Sequence, residues 1–273
     1  MLNALSIDVE DWFHILGLRN EIPISDWHKM ESRVERNTRR ILNILDVCNE
    51  TKATFFVLGW VAKHFPNLIM EIQERGHEIA SHGYAHRLVY QLTPEQFRED
   101  IQRAKSITED VIGQRVIGYR VPGFSIQNGN LWALDVIKES GFVYDSSIFP
   151  AYRGHGGFNS APIYPYQDSS GLWEFPISVI QYWSMNIPFA GGGYLRFLPY
   201  SIIKKAIKKI NSQGQPVIIY LHPRDLDIHQ PQLELTLYRR FKCYVNLHTA
   251  QKKLTALLRD FNFAHVSEVL GLR

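Results

Sequence analysis

Ser81-His82-Gly83-Tyr84-Ala85-His86 follows a short apolar run, Glu78-Ile79-Ala80, that reads as a strand ending near Ser81. Two imidazoles four positions apart face one metal ion if the turn curls helically, because residues i and i+4 share a face. Alone, the pair reads as surface loop; the metal reading needs a third ligand and a reacting group. The first strand offers both. Leu2 to Ile7 is apolar-rich and runs into Asp8-Val9-Glu10-Asp11, three carboxylates within four positions. In a barrel of strands and helices, side chains at strand ends gather over a common mouth, so a first-strand carboxylate meets histidines that follow a later strand.

Outward from that stretch the chain alternates strand and helix about six times. Val34 to Asn49 carries Ile41, Leu42, Leu45 and Cys48 on one helical face. Thr54 to Leu58 reads as a buried parallel strand, a helix from Pro66 to Arg75 stops at Gly76, and His77 to Ser81 is the next strand. Thr93-Pro94-Glu95-Gln96 is an N-cap, an N1 proline and a capping-box glutamine, predicting a helix to Ile112 closed by Gly113. Strands follow at Val116 to Arg120, around Phe142 to Tyr144, and at Pro216 to Leu221, with a helix at Leu131 to Ser140. Residues 12–30 read as a long loop. Residues 148–193 are irregular apart from a strand at Leu172 to Ser178, and an irregular region of that length inside one domain is usually functional.

This alternation fits a parallel barrel or an open doubly wound sheet. Polar punctuation chooses between them. Asp8, Ser81-His82, Arg120, Asp145 and His222 each stand where a strand gives way to a loop. A barrel with its site at the C-terminal mouth accommodates five such ends, whereas an open sheet has one switch point and strands some of them. The expected organisation is α/β, a single domain over 1–273, with 226–273 as a mostly helical extension.

Composition bounds the partners. With 273 residues, 45% apolar and 21% charged, the chain can bury one sizeable core. A net charge of +3 is too small a surplus to argue for nucleic acid. Two cysteines, Cys48 and Cys243, make no disulfide framework. No signal peptide and no bilayer-length apolar run is visible, so the expected compartment is the cytoplasm. In the helix Pro199 to Ile210, Ile202, Ile203, Ala206, Ile207 and Ile210 line one face, opposite Lys204, Lys205, Lys208 and Lys209. That lysine face reads as solvated, its alternative being peripheral contact with anionic headgroups.

Four motifs in order carry a resemblance: Ser6-Ile7-Asp8-Val9-Glu10-Asp11, Ser81 to His86, Arg120-Val121-Pro122-Gly123 and Tyr220-Leu221-His222. Together they resemble the polysaccharide deacetylase family, the NodB-homology domain of carbohydrate esterase family 4, over roughly Leu2 to Arg224. Gly191-Gly192-Gly193 and Tyr244-Val245-Asn246-Leu247 resemble a bacterial branch associated with exopolysaccharide synthesis. The resemblance implies a distorted (β/α) barrel of about seven parallel strands. It implies a divalent metal, usually Zn²⁺, with Co²⁺ or Ni²⁺ accepted by the same ligands. It also implies an N-acylated sugar substrate, nucleotide- or lipid-linked among the options, handled by a single chain or a homo-oligomer.

Carried over residue by residue, the resemblance makes Asp8 the catalytic base, His82 and His86 metal ligands, His222 the catalytic acid, and Arg120 the group that orients Asp8. Val9 stands where many relatives have a second aspartate. In the branch this chain resembles, the second carboxylate lies two positions on, which points to Glu10; the strand's period of two also puts Asp8 and Glu10 on one side. Asp11 is the competing ligand. The family's later aspartate partner of the acid histidine has no clear match, and Asp227 and Glu174 are the candidates. Gly123 is expected to offer its N–H to the oxyanion. Trp12, with Phe13, Trp173, Tyr182 and Trp183, is a candidate for stacking on sugar, although loop aromatics more often pack their own loops. His14 lies near the first motif without an assigned role; the remaining histidines, His155 among them, have none.

The function expected is metal-dependent removal of an N-acetyl group from a sugar in polysaccharide or cell-surface glycan synthesis. Three rivals stand beside it: a deformylase on a formamido sugar, an inactive glycan-binding module on the same fold, and a non-haem iron oxygenase built on the same two-histidine, one-carboxylate set. The strand-helix alternation argues against the last.

Overall fold

A computed structural model describes residues 1–18, 22–152, 154 and 156–272. Its eleven strands are β1 Leu2–Val9, β2 Thr54–Val57, β3 Glu78–Ser81, β4 Gly118–Tyr119, β5 Tyr144–Asp145, β6 Tyr166–Gln167, β7 Trp173–Glu174, β8 Val179–Tyr182, β9 Met185–Pro188, β10 Ile218–Leu221 and β11 Asn262–Ala264. The main sheet runs in the order β10-β1-β2-β3-β4-β5-β7-β6, with β11 also on β1. From β10 to β7 every pairing is parallel, which makes seven parallel strands; only β6 turns back, antiparallel to β7. The sheet curls into a half-barrel with helices around it, as the strand-end punctuation predicts.

Local chemistry explains the elements. β2 and β3 are buried along their whole length, as parallel strands covered on both faces must be. The helix Pro94–Ile112 carries the full capping box between Thr93 and Gln96 and ends on Gly113 at φ 63, a left-handed position that glycine takes without penalty. The helix Val34–Val47 buries Ile41, Leu42 and Leu45 against the core, and Cys48 closes it as a buried free thiol. In the helix Tyr200–Asn211 the buried stripe is Ile203, Ala206, Ile207 and Ile210; Ile202, expected on that face, sits at its edge and is 48% exposed.

Several elements differ from the sequence reading. β4, β5 and β7 are two residues each where longer strands are expected, because side chains take over the ladder: Val121 N–H donates to Ser147 Oγ, and Ile148 N–H to Glu174 Oε1. The irregular 148–193 stretch contains the β8–β9 hairpin, and a helix begins at its end, Gly192–Phe197. The 12–30 loop contains short 3-10 turns at Trp12–His14 and Ile24–Lys29, and its residues 19–21, like His155, lie outside the described residues. The tail is helical over Leu237–Tyr244 and Leu247–Asp260, but it also contributes β11, which pairs with the start of β1. No helix of the described residues is long and apolar enough to cross a membrane.

Candidate metal centre and active site

The C-terminal ends of β1, β3, β4 and β10 deliver Asp8 and Glu10, His82, Arg120 and His222 to one edge of the sheet. His82 and His86 do converge, but not on a helical turn as their spacing suggests. Residues 82–88 are non-helical, with Gly83 at φ 72 and His86 at φ 53. Asp100, from the helix Pro94–Ile112, holds this shape: Tyr84 N–H donates to Oδ2 at 2.7 Å and Ala85 N–H to Oδ1 at 3.2 Å. A Cβ on Gly83 would lie 2.8 Å from the same carboxylate. A left-handed φ at a non-glycine residue costs on the order of 1 kcal/mol or more and persists where surroundings impose it.

The donor set meets at one oxygen. Glu10 Oε1 lies 3.0 Å from His82 Nε2 and 2.9 Å from His86 Nε2. His82 Nδ1 lies 2.8 Å from the Arg120 carbonyl, which can only accept, so Nδ1 carries the proton and Nε2 presents a lone pair. With a proton on Nδ1, Nε2 is the ring nitrogen available to a cation placed between it and Glu10 Oε1. One carboxylate and two imidazoles, all buried, fit a divalent cation of the Zn²⁺ type, with the non-coordinating nitrogen of His82 fixed by a backbone carbonyl. Burial by itself raises the Glu10 carboxyl, yet His86 and His222 beside it outweigh that and hold it well below the usual carboxylate range. Glu10 is therefore an anion.

Asp8 occupies a different environment. Its Oδ1 accepts from Arg120 Nη1 at 2.6 Å, and both residues are buried. The guanidinium is held on every side: Nε donates to the Ser146 carbonyl, Nη1 also to Ser6 Oγ, and Nη2 to Ser146 Oγ, each at 2.9 Å. Phe56 lies beneath it, 4.0 Å from the ring centroid. Asp8 Oδ2, the other oxygen, faces His222 Nε2 at 3.8 Å.

His222 Nε2 is also 3.8 Å from Glu10 Oε1, so the imidazole overlooks both carboxylates. Its partner is neither Asp227 nor Glu174. Asp227 is bound by Arg33, Arg36 and Asn37, and Glu174 is buried beside Asp145. The residue beside His222 is Asp225, whose Oδ2 accepts from the His222 backbone N–H at 2.8 Å and lies 3.4 Å from Nδ1. The signal was present as His222-Pro223-Arg224-Asp225, a proline-initiated turn with an acid at its third position. Burial disfavours the His222 imidazolium, but Glu10 and Asp225 outweigh that and raise its pKa. Burial also raises the Asp225 carboxyl, and Arg196 with His222 overcomes this and holds it strongly down.

The other candidates are placed as follows. Asp11 turns its carboxylate away to the start of the helix Val34–Val47: Oδ2 accepts from Ser32 Oγ and from the backbone N–H of Arg33 and Val34, and Oδ1 from Trp12 N–H. Trp12 is buried, its indole N–H donating to the Glu31 carbonyl at 2.9 Å, which makes it a packing residue of its loop. Gly123 sits at φ 65 in the turn Pro122–Phe124, immediately after Arg120 and Val121. His14 Nδ1 accepts from Asp11 N–H, and its ring lies 6.1 Å from that of His86, among Phe13, Trp27 and Trp60. Tyr182 and Trp183 stand out in solvent at the tip of the β8–β9 hairpin.

Residues 27–144 match the family model described as polysaccharide deacetylase, and residues 146–271 match one described as a domain of unknown function (DUF3473). A peptidoglycan deacetylase-like protein of Gibberella zeae is 33% identical over 144 residues, covering 52% of this chain and 38% of that relative. The chain thus spans under two fifths of that relative's length. Among solved structures, one assigned as a polysaccharide deacetylase of Mycobacterium smegmatis superposes with a TM-score of 0.66 at 21% identity, covering 99% of this chain and 89% of the other. PuuE allantoinase superposes at 0.61 with 17% identity, covering 98% and 88%. At those identities the two structures establish likeness of fold.

Proposed function

This chain belongs to the polysaccharide deacetylase (NodB-homology) family, and from that premise we propose that it is a metal-dependent amide hydrolase that removes the N-acetyl group from a sugar. One observation carries the reading: Glu10 Oε1 stands within 3.0 Å of both His82 Nε2 and His86 Nε2, while Asp8, tied to Arg120, and His222 look onto the same point. Three protein ligands rather than four is the arrangement of a catalytic site rather than a closed structural one.

In this proposal Glu10, His82 and His86 hold the cation, with Glu10 favoured over Asp11 by the helix-capping bonds that occupy Asp11. A bound Zn²⁺, Co²⁺ or Ni²⁺ would supply Lewis acidity and a water acidified to a pKa of roughly 7. Asp8 takes up the proton of the attacking water, and Arg120 keeps that carboxylate pointed at the mouth. The Gly123 N–H is the proposed donor to the oxyanion. His222 releases a proton from Nε2 to the departing nitrogen, which a raised pKa suits. Trp12 is left out of the sugar-binding role, since its N–H is spent on the loop.

The proposed setting is polysaccharide or cell-surface glycan synthesis, on a substrate free, nucleotide-linked or lipid-linked, in the cytoplasm. Peripheral membrane contact through Lys204–Lys209 is part of the proposal for a lipid-linked substrate, with Lys204 itself paired with Asp260 at 2.8 Å. The test is metal analysis together with acetate and formate release across a panel of N-acylated sugars. Acetate release that follows metal content supports the proposal. Formate alone would move the function to a deformylase, and saccharide binding with no acyl release would make the chain a binding module.

A further inference from the structure

The carboxylate beside His222 is ion-paired on its far side with a residue that none of the four motifs contains. Arg196, in the short helix Gly192–Phe197, is 2% exposed, and its Nε lies 3.1 Å from Asp225 Oδ1. The opposite oxygen, Oδ2, is the one that meets His222. The rest of the guanidinium is spent on backbone: Nη1 donates to the carbonyls of Cys243 and Val245, and Nη2 to that of Lys242, all at 3.0 Å. These carbonyls close the helix Leu237–Tyr244, whose last C=O groups lack partners of their own and carry the negative end of its dipole. A fixed cation thus joins the tail of the chain to the carboxylate behind His222.

The glycine run makes this joint sterically feasible. A Cβ on Gly192 would lie 1.9 Å from Asp225 Oδ2, and one on Gly191 2.6 Å from the Tyr220 ring. Only a backbone without side chains can bring Arg196 this close to β10 and the turn after it. A guanidinium wanted merely to staple the tail needs the three carbonyls and nothing more. Its approach to Asp225, bare glycine against carboxylate, is what a stapling role leaves unexplained.

We infer that Arg196 is a positioning residue for proton donation: it fixes the Asp225 carboxylate, which in turn aims His222 Nε2 at the departing nitrogen. Residues 237–245 are then part of the proton-donating apparatus through their carbonyls. The inference rests on the amide-hydrolase reading. In that reaction the acyl C–N bond breaks with its electron pair left on nitrogen. The water oxygen ends on the acyl carbon, its proton on Asp8, and the Nε2 proton of His222 on the amine. An amide needs that last transfer, whereas an ester with a phenolate leaving group does not.

The experiment compares N-acetyl sugar hydrolysis with 4-nitrophenyl acetate hydrolysis on the metal-loaded full chain, for wild type, Arg196→Met, Arg196→Lys and Asp225→Asn. Metal content and melting temperature are read alongside. Arg196→Met is expected to lower kcat on the amide by about 10–100-fold, a share of the proton-transfer contribution, while the ester rate stays within about twofold and metal content is unchanged. Adding it to Asp225→Asn should cost little more, since both act through one imidazole. Should Arg196→Met fail to fold, Gly192→Ala asks the same question, because its methyl displaces the Asp225 carboxylate without touching the three carbonyl bonds. Equal losses on amide and ester, or fully additive effects, would overturn the inference while leaving an active wild type to uphold the hydrolase reading. A wild type inactive on both substrates would remove that reading, and the inference with it.

Discussion

Asp8 and Glu10, two positions apart at the end of β1, turn their carboxylates to the same mouth but meet opposite kinds of partner: Asp8 a guanidinium at 2.6 Å, Glu10 two imidazole nitrogens at 2.9 and 3.0 Å. β1 ends at Val9, and the Glu10 N–H bonds back to the Asp8 carbonyl at 2.9 Å, so a tight turn rather than continued strand alternation brings the Glu10 carboxylate to that side; Val9 between them is fully buried in the core. Partner chemistry then separates them. Arg120 fixes Asp8 Oδ1 and leaves Oδ2 facing His222, whereas the two imidazole nitrogens that converge on Glu10 Oε1 make a donor set for a shared metal.

Removing either imidazole should empty the site. His82→Ala and His86→Ala are each expected to lower bound metal on chelator-washed protein to background and to abolish acyl release. Full metal occupancy in either variant would take that histidine out of the ligand set. His86→Ala should also relieve the left-handed strain at φ 53 only in part, because alanine shares the Cβ penalty.

The three first-motif carboxylates should respond in three distinct ways. Asp8→Asn keeps metal and loses most activity, since the amide cannot take a proton. Glu10→Gln weakens metal binding, and excess metal restores part of the rate. Asp11→Ala keeps both site functions but loses the cap of the helix Val34–Val47, costing about 1–2 kcal/mol. Chemical denaturation, metal analysis and turnover on the same three proteins check the assignment. Loss of metal in the Asp11 variant with none in Glu10→Gln would exchange their roles.

Arg120 answers to stability as well as rate. Arg120→Met leaves Asp8 as a buried carboxylate without its cation, and breaking such a pair costs about 3–5 kcal/mol. Combining it with Asp8→Asn should recover much of that loss in a denaturation midpoint, because no lone buried charge remains. An additive double variant would argue that Arg120 acts mainly through Ser6 and Ser146.

His77 gives a pH signature outside the site. It is buried, its Nδ1 accepts from Ala53 N–H at 3.2 Å, and burial lowers its pKa to about 4. The unfolded chain, with an ordinary imidazole near 6.5, binds the extra proton first as pH falls. Stability is therefore complete above about pH 6.5 and declines towards pH 4, by up to about 3 kcal/mol. His77→Asn, which keeps an acceptor for Ala53, should flatten the melting temperature across that window. An unchanged slope would assign the decline to other groups.

Much of the site was legible because strand ends are marked by side chains that no core would choose: Asp8, His82, Arg120 and His222 all follow apolar runs. The helix Pro94–Ile112 was legible for the same reason, with both ends written as caps. Asp225 was harder to find, since its nearness to His222 depends on a 3-10 turn begun by Pro223, and acids in turns are common. The non-helical shape of 82–88 was hidden as well, because Asp100, which enforces it, sits on a helix of its own. The β8–β9 hairpin was hidden because its apolar residues do not mark a buried face: Tyr182, Met185 and Ile187 are all exposed. β11 is a three-residue strand known only by the neighbour it finds.

The place of β1 in the sheet also bears on how the chain comes off the ribosome. Ala4 to Ile7 pair with Ile218 to Leu221, and Leu2 to Ala4 with Asn262 to Ala264. At synthesis rates of about 5–20 residues per second, these partners follow β1 by on the order of ten seconds or more. Meanwhile the apolar strand that bears Asp8 and Glu10 has only β2 beside it. Pulse-chase proteolysis of ribosome-stalled chains should therefore find the first ten residues protease-sensitive until the tail has emerged, and the carboxylates that β1 carries to the mouth are held in place only once that tail is made.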